Sequence, residues 1–288
     1  MQFIKFQGFG NDYIVFETEA LAGVADLNEF VRQVCERHYG AGADGIVILE
    51  RVKAEDADFG ARIFNADGSE AAISGNGTRC AAAYLYYRKL WSRAELRLST
   101  AAGIKLYRLR ETITEGHYWF DSHLGQPRLE SAAVPFKTAE PMERVVAYPL
   151  TVDNETWNIT ALSMGNPHCC IFVDDFDDVD WRRLGRVTET HTLFPEKTNV
   201  TFIRVIDRTR IELRIWERGV GETFSSGTCS CAATVASIIN GLTERRVQVE
   251  TPGGSMQVEW REDGEVVLTG RADIVYSGEW LKAGMRDE

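Results

Sequence analysis

The sequence predicts an α+β fold made of two similar halves, and three observations carry that expectation. Short apolar or alternating runs are many, as half-buried strands require. Helix-like runs are few, and the first and last are followed by the stop signals Gly40 and Gly241. The chain also repeats itself, in order and at nearly constant spacing.

Taken in chain order, the strand-like runs include IKFQ from Ile4, YIVFE from Tyr13, GIVILE from Gly45, ARIFN from Ala61 and IKLYRLR from Ile104. A second series follows, with CIFV from Cys170, VTFIRV from Val200, IELRIW from Ile211, VQVE from Val247 and MQVEW from Met256. Periodicity predicts helices near 26–38, 77–90, 178–184 and 229–240.

Laid on itself, the chain matches GNDYIVF from Gly10 with GNPHCCIFV from Gly165, and Asp44 with Asn199, both at a separation of 155 residues. RIFNADGSEAAISGNGT then lies over RIWERGVGETFSSGT, setting Asn65 against Glu217 and Ser74 against Ser226 at a separation of 152. A loop shorter by three residues accounts for the change. Each copy runs strand, Gly-Asn, strand, helix, paired strands, then a small polar loop that opens a helix. A pseudo-twofold arrangement is expected to bring the helix starts at 74–78 and 226–230 to opposite sides of one interdomain cleft, a favoured place for a small ligand.

The 288 residues are enough for two modest domains, and 44% hydrophobic with 26% charged residues is ordinary globular composition. A net charge of −11 without a Lys/Arg-rich block argues against a nucleic-acid surface and for small-molecule partners. No apolar run reaches the ~18 residues a membrane span needs. The start, MQFIKFQGFG, lacks the apolar core of a secretion signal, so a cytoplasmic location is expected. The six cysteines, Cys35, Cys80, Cys169, Cys170, Cys229 and Cys231, then read as reduced thiols without disulfides. HCC at 168–170 and CSC at 229–231 lack the C-x₂-C or H-x₃-H spacing of structural zinc sites, and no metal is expected.

Chemistry concentrates at the repeated loop. A helix start presents unpaired backbone N–H groups and the positive end of the dipole, so a glycine-containing turn there can approach an anion closely. The alternative is ordinary capping: Ser74 begins a turn and Asn76 or Thr78 caps a core helix. Two such loops facing one ligand suit a reaction whose reactant and product are mirror images at one carbon. One side removes a proton, the other returns it, and the helix starts stabilise the charge that develops between. Racemisation or epimerisation without a cofactor follows. GAGADG at 40–45 fits G-x-G-x-x-G but precedes a strand rather than following one. No GK[ST] loop and no G-x-S-x-G elbow is present.

At this point the motifs GFGNDY, GAGADG, FNADGSEAAISGNGTRC, MGNPH, FPEKTNV, ERGVGET and TPGG, in that order, resemble the diaminopimelate epimerase family over essentially the whole chain. The resemblance implies two similar domains, each a strongly curved mixed or antiparallel sheet wrapped around a central helix. Residues 1–125 would form the first domain, rejoined by 271–288, and 126–270 the second. It also implies a homodimer that interconverts LL- and meso-diaminopimelate on the route to lysine and peptidoglycan precursors, without pyridoxal phosphate or metal. Carried over by position, the family's substrate contacts fall on Asn11, Asn65, Gly75, Asn76, Asn166, Asn199, Glu217, Arg218, Gly227 and Thr228. Asparagines supply donors and acceptors together, and Arg218 can grip a carboxylate with two N–H groups, as a zwitterionic diacid requires. His168 and Glu217 match positions beside the family's acid/base pair.

One departure bears on the chemistry. The family's two proton-transferring residues are cysteines, and the matching positions here are Ser74 and Ser226. A thiol ionises near pH 8.5 or below at a helix start, roughly, whereas an alcohol does not ionise near neutrality. Three readings stay open: replacements that keep shape while stopping turnover, natural substitutions assisted by His168 and Glu217, or a divergent homologue. The last would bind an amino acid without turnover, or act as an isomerase or lyase on another small acid. Cys229, where the family usually has glycine, leans towards natural divergence.

Overall fold

The protein is described by a computed structural model covering residues 1–52 and 56–281. The chain divides into two compact units, Met1–Ser122 with the segment from Gly270 onward, and His123–Thr269. Of the segment 271–288 expected to rejoin the first half, residues 282–288 lie outside the described residues.

The first unit opens with β1 (Gln2–Gly8) and β2 (Asn11–Glu17), an antiparallel pair closed by a two-residue turn. Phe9 and Gly10 hold φ of 57° and 84° there, the left-handed pair that suits strand twist. A short 3-10 turn, Thr18–Leu21, and α1 (Leu27–Cys35) lead to β3 (Gly45–Glu50), parallel to β2. Then come β4 (Phe59–Asn65), the short β5 (Glu70–Ala71) and α2 (Gly75–Tyr87). β6 (Glu95–Thr100), β7 (Gly103–Thr114) and β8 (His117–His123) complete the series.

The second unit repeats the plan. Its elements are β9 (Val145–Val152), β10 (Glu155–Ser163), β11 (Pro167–Phe172), α3 (Trp181–Glu189), β12 (Asn199–Asp207), β13 (Arg210–Glu217), β14 (Gly221–Thr223) and α4 (Gly227–Ile239). β15 (Arg246–Thr251), β16 (Gly254–Trp260) and β17 (Val266–Glu279) follow. β17 starts against β16 at Val266–Thr269 and ends against β1, where Asp273–Glu279 pair with Gln2–Gln7.

The pairings match step by step. β2 to β3 and β4 to β6 are parallel in the first unit, as β11 to β12 and β13 to β15 are in the second, and the remaining neighbours in each series are antiparallel. The expected α+β class of mixed, largely antiparallel sheets is therefore correct. α2 has no polar face to spare: Cys80, Ala81, Ala82, Ala83, Tyr84 and Leu85 are all buried among Phe6, Val15, Val47, Ile63, Leu96 and Phe120. α4 is buried continuously from Cys229 to Ser237. Small residues on all sides let strands close around both helices, which is why these two carry no amphipathic stripe while α1 does.

All four helices differ from the expected spans, α1 running 27–35, α2 75–87, α3 181–189 and α4 227–239, and two of the starts are set by capping. α3 runs 181–189 rather than 178–184, because the Asp180 carboxylate accepts from the Arg183 N–H and fixes the start. α2 begins at Gly75 rather than 77, because Ser74 is itself the N-cap. Asn76 and Thr78, the alternative caps, lie inside the helix, and the Thr78 hydroxyl donates back to the Ser74 carbonyl at 2.7 Å. All six cysteines are free and buried.

Candidate active site

In the first unit the β1–β2 turn, the start of β3, the end of β4 and the start of α2 converge. The Ser74 hydroxyl oxygen accepts from the Gly77 N–H at 3.1 Å and from the Tyr13 hydroxyl at 2.8 Å. Beside it, the Asn76 amide donates to Asn11 Oδ1 at 3.2 Å, and Asn11 Nδ2 donates to Asp44 at 2.7 Å. The buried Arg79 guanidinium holds Asn76 Oδ1 from the other side and donates to the Arg271 carbonyl at 2.9 Å. Asn11 and Asn76 are thus fixed in one chain of hydrogen bonds. Asn65, at the exposed end of β4, donates to Ser69 at 3.0 Å and stands apart from that chain.

Asp44 belongs to a charged knot. Arg37 bridges Asp12 and Asp44 at 3.0 and 2.7 Å, and Lys5 meets Asp12 at 2.7 Å. Hydrogen bonds from Arg37 and Lys5 outweigh burial and hold the Asp12 carboxyl below its ordinary range. The knot ties β1, β2 and the loop after α1 together behind Asn11. GAGADG supplies that loop, and a side chain at Gly40 would meet the Gln33 carbonyl at 2.2 Å, so its first glycine serves a tight helix exit rather than a nucleotide.

The second unit assembles the matching positions differently. Ser226 precedes α4 as Ser74 precedes α2, yet its side chain makes no capping bond. Its hydroxyl donates to Glu217 Oε2 at 3.2 Å, while the Thr223 hydroxyl donates to Oε1 at 2.7 Å. Burial pushes the Glu217 carboxyl above its ordinary value, against the smaller opposing effect of those two donors. A carboxylate so placed accepts a proton more readily than an exposed one.

His168 is fully buried on β11, and desolvation, with Arg218 adding to it, lowers its pKa to about 3. The ring is neutral near physiological pH. Nε2 meets Asn166 Oδ1 at 2.9 Å, Nδ1 has no hydrogen-bond partner among the described residues, and neither nitrogen bonds Ser226. Asn166 in turn donates to Thr228 at 3.5 Å, linking the β10–β11 turn to the first turn of α4. Asn199 donates to the Pro167 carbonyl at 2.9 Å and accepts from the Arg218 N–H at 3.1 Å, which pins the ERGVGET turn to β12. The Arg218 guanidinium reaches the Glu196 carbonyl at 3.1 Å and is otherwise exposed.

The structure therefore groups Asn11, Ser74, Gly75 and Asn76 in one unit, and Asn166, His168, Asn199, Glu217, Arg218, Ser226, Gly227 and Thr228 in the other. Two contributors were not singled out from sequence, Tyr13 and Thr223. Tyr13 had a signal, since the repeat sets it against His168. Thr223 had none, because its role depends on how β14 folds back on β13.

The sequence model of the family described as Diaminopimelate epimerase matches residues 3–127 and 160–275. A diaminopimelate epimerase from Pelotomaculum thermopropionicum is 42% identical, with 97% of this chain and 99% of the relative aligned. One from Desulfitobacterium hafniense is 40% identical over 98% and 99%. Among solved structures, a PhzF-family phenazine biosynthesis protein from Bacillus anthracis superposes with a TM-score of 0.69 at 17% identity, over 98% of this chain and 99% of the other. A hydroxyproline epimerase from Agrobacterium vitis, with trans-4-hydroxy-L-proline bound, gives 0.65 at 14% over 96% and 91%. These two similarities establish the fold.

Proposed function

The chain belongs to the diaminopimelate epimerase family, and from that premise we propose that it interconverts LL- and meso-diaminopimelate by proton transfer at one carbon. Each half of the chain supplies one proton-transferring position, Ser226 and Ser74. The product serves lysine and peptidoglycan precursor synthesis, in the cytoplasm, and the family's homodimeric state is adopted with it. No pyridoxal phosphate or metal enters the proposed steps.

The observation that carries this reading is the hydrogen bond from Ser226 to the desolvated Glu217 carboxylate. It supplies what an alcohol lacks. As the Ser226 oxygen takes the α-proton of the amino acid, its own proton passes to Glu217, so no free alkoxide has to form at Ser226. The electron pair of the broken C–H bond stays on the substrate carbon, beside its carboxylate. The positive dipole ends at the starts of α2 and α4 suit that developing negative charge. Ser74 then gives its proton to the opposite face, and the proton left on Glu217 and the one missing from Ser74 are exchanged with solvent or returned in the reverse reaction.

Open space at the first turn of α2 supports a ligand there. A Cβ built at Gly75 would meet no atom of the described residues within 4 Å beyond its chain neighbours and its own helix, which leaves a ligand room to approach the backbone. In the second half, His168 acts by orienting Asn166, because a neutral ring without contact to Ser226 is not its base.

The test is exchange in heavy water. The purified protein, given LL- or meso-diaminopimelate, should place deuterium at the α-carbon with concurrent interconversion, read by NMR and chiral chromatography. Binding without exchange above buffer overturns the reading in favour of a homologue that retains an amino acid but has lost the reaction.

A further inference from the structure

The two halves treat their serines in opposite ways, and the difference was built by the surrounding side chains. In the first half, Ser74 Oγ receives two donors, the Tyr13 hydroxyl at 2.8 Å and the Gly77 N–H at 3.1 Å. Both lone pairs of the oxygen are engaged, so its remaining function is to give its own proton away. In the second half, Ser226 gives its proton to Glu217 and its helix-start N–H groups go uncapped by it.

The Tyr13 ring reaches Ser74 through a slot made by two missing side chains. A Cβ at Gly77 would lie 3.1 Å from Tyr13 Cε1 and 3.2 Å from Ser74 Cβ. A Cβ at Gly45 would lie 2.8 Å from the same ring carbon and 2.3 Å from the Phe64 carbonyl. The repeat places Val200 and Cys229 at the equivalent positions and His168 at the position of Tyr13. The two glycines that open the slot are replaced in the other half by residues with side chains, and the shorter His168 there meets Asn166 instead.

Resting on the proposed proton transfer, we infer that Tyr13 is a positioning residue which, acting through Ser74, stabilises the deprotonated form of the group at position 74 and makes it the proton-donating side of the resting enzyme. Ser226, beside Glu217, is the proton-accepting side. When Ser74 releases its proton to the substrate carbon, the Tyr13 O–H and Gly77 N–H stabilise the negative oxygen left behind. Tyr13 keeps its own proton throughout. The free enzyme is therefore ready for the stereoisomer whose α-hydrogen faces Ser226, and the other isomer needs Ser74 deprotonated and Glu217 protonated first.

The experiment reads position 74 directly, independent of turnover. Ser74→Cys puts a titratable sulfur between the same donors, and the pH dependence of its alkylation by iodoacetamide gives its ionisation midpoint. The six native thiols are buried, and the parent chain supplies the background. Adding Tyr13→Phe keeps the ring and removes only the donor. The expected result is a midpoint raised by about half a pH unit or more, since one hydrogen bond to the charged form is lost. In the Ser74 background, Tyr13→Phe should slow exchange about tenfold or more with KM little changed, as befits loss of transition-state charge stabilisation. Coincident alkylation profiles overturn the inference, whether or not the parent turns over. A shifted profile in a parent chain that exchanges no deuterium upholds the hold of Tyr13 on position 74 while removing the epimerase reading itself.

Discussion

Ser226 donates its hydroxyl proton to Glu217 Oε2 across 3.2 Å, and Thr223 fixes the other carboxylate oxygen at 2.7 Å. The serine is thereby oriented by a carboxylate rather than by its own helix. Glu217→Gln preserves an oxygen that can accept the hydrogen bond but cannot take the proton. We predict a fall in kcat of about 100-fold or more, the usual share of a general base, with KM little altered. Steady-state kinetics of interconversion check it, and Thr223→Ala, which frees one carboxylate oxygen, should give a smaller loss.

Burial raises the Glu217 carboxyl above 4.5, its ordinary value. Proton acceptance needs the ionised form, so activity should climb with pH along an acidic limb whose midpoint lies above 4.5. The stability effect has the opposite sign. The folded state binds this proton more tightly than the unfolded chain, so the contribution of Glu217 to stability falls as pH rises through that window. Thermal melts should show Glu217→Gln stabilising the protein, and more at pH 8 than at pH 4.

His168 works the other way. Its pKa falls from 6.5 unfolded to about 3 folded, so between those values the unfolded chain binds a proton that the folded chain refuses. Stability is lost as pH drops from 6.5 towards 3. His168→Gln, which keeps a polar side chain near Asn166, should flatten that part of the stability profile measured by urea unfolding.

Much of this arrangement is legible in the sequence. The repeat found the two serines, Asn65 against Glu217 and the shared strand order, because landmark residues sit in turns whose backbone tolerates few substitutes. Helix edges were less legible: at Asp180 and Ser74 the start is set by one side-chain hydrogen bond that periodicity cannot detect. The different treatment of the serines was not legible at all. Whether a cap serine bonds its helix, a tyrosine or a glutamate depends on which neighbouring side chains leave room, and Gly45 and Gly77 acquire meaning once the Tyr13 ring is seen against them.

That packing is testable by stability alone. Alanine inside a helix normally stabilises relative to glycine by about 0.5–1 kcal/mol. At Gly77 the new methyl would press on a buried ring backed by Gly45 and on Ser74 Cβ, so Gly77→Ala should instead destabilise by about 1–3 kcal/mol. Combined with Tyr13→Ala, the same change should cost much less, and a double-mutant cycle in urea measures the difference.

The central claim is that Ser74 and Ser226 are the two groups through which the proton passes. Single Ser74→Ala and Ser226→Ala proteins, incubated with LL- and meso-diaminopimelate in heavy water, test it most directly. Interconversion should fall by about 1,000-fold or more in each, in line with removal of a proton-transferring group, while both proteins still bind substrate by calorimetry. Retention of the parental interconversion rate by either variant would contradict it.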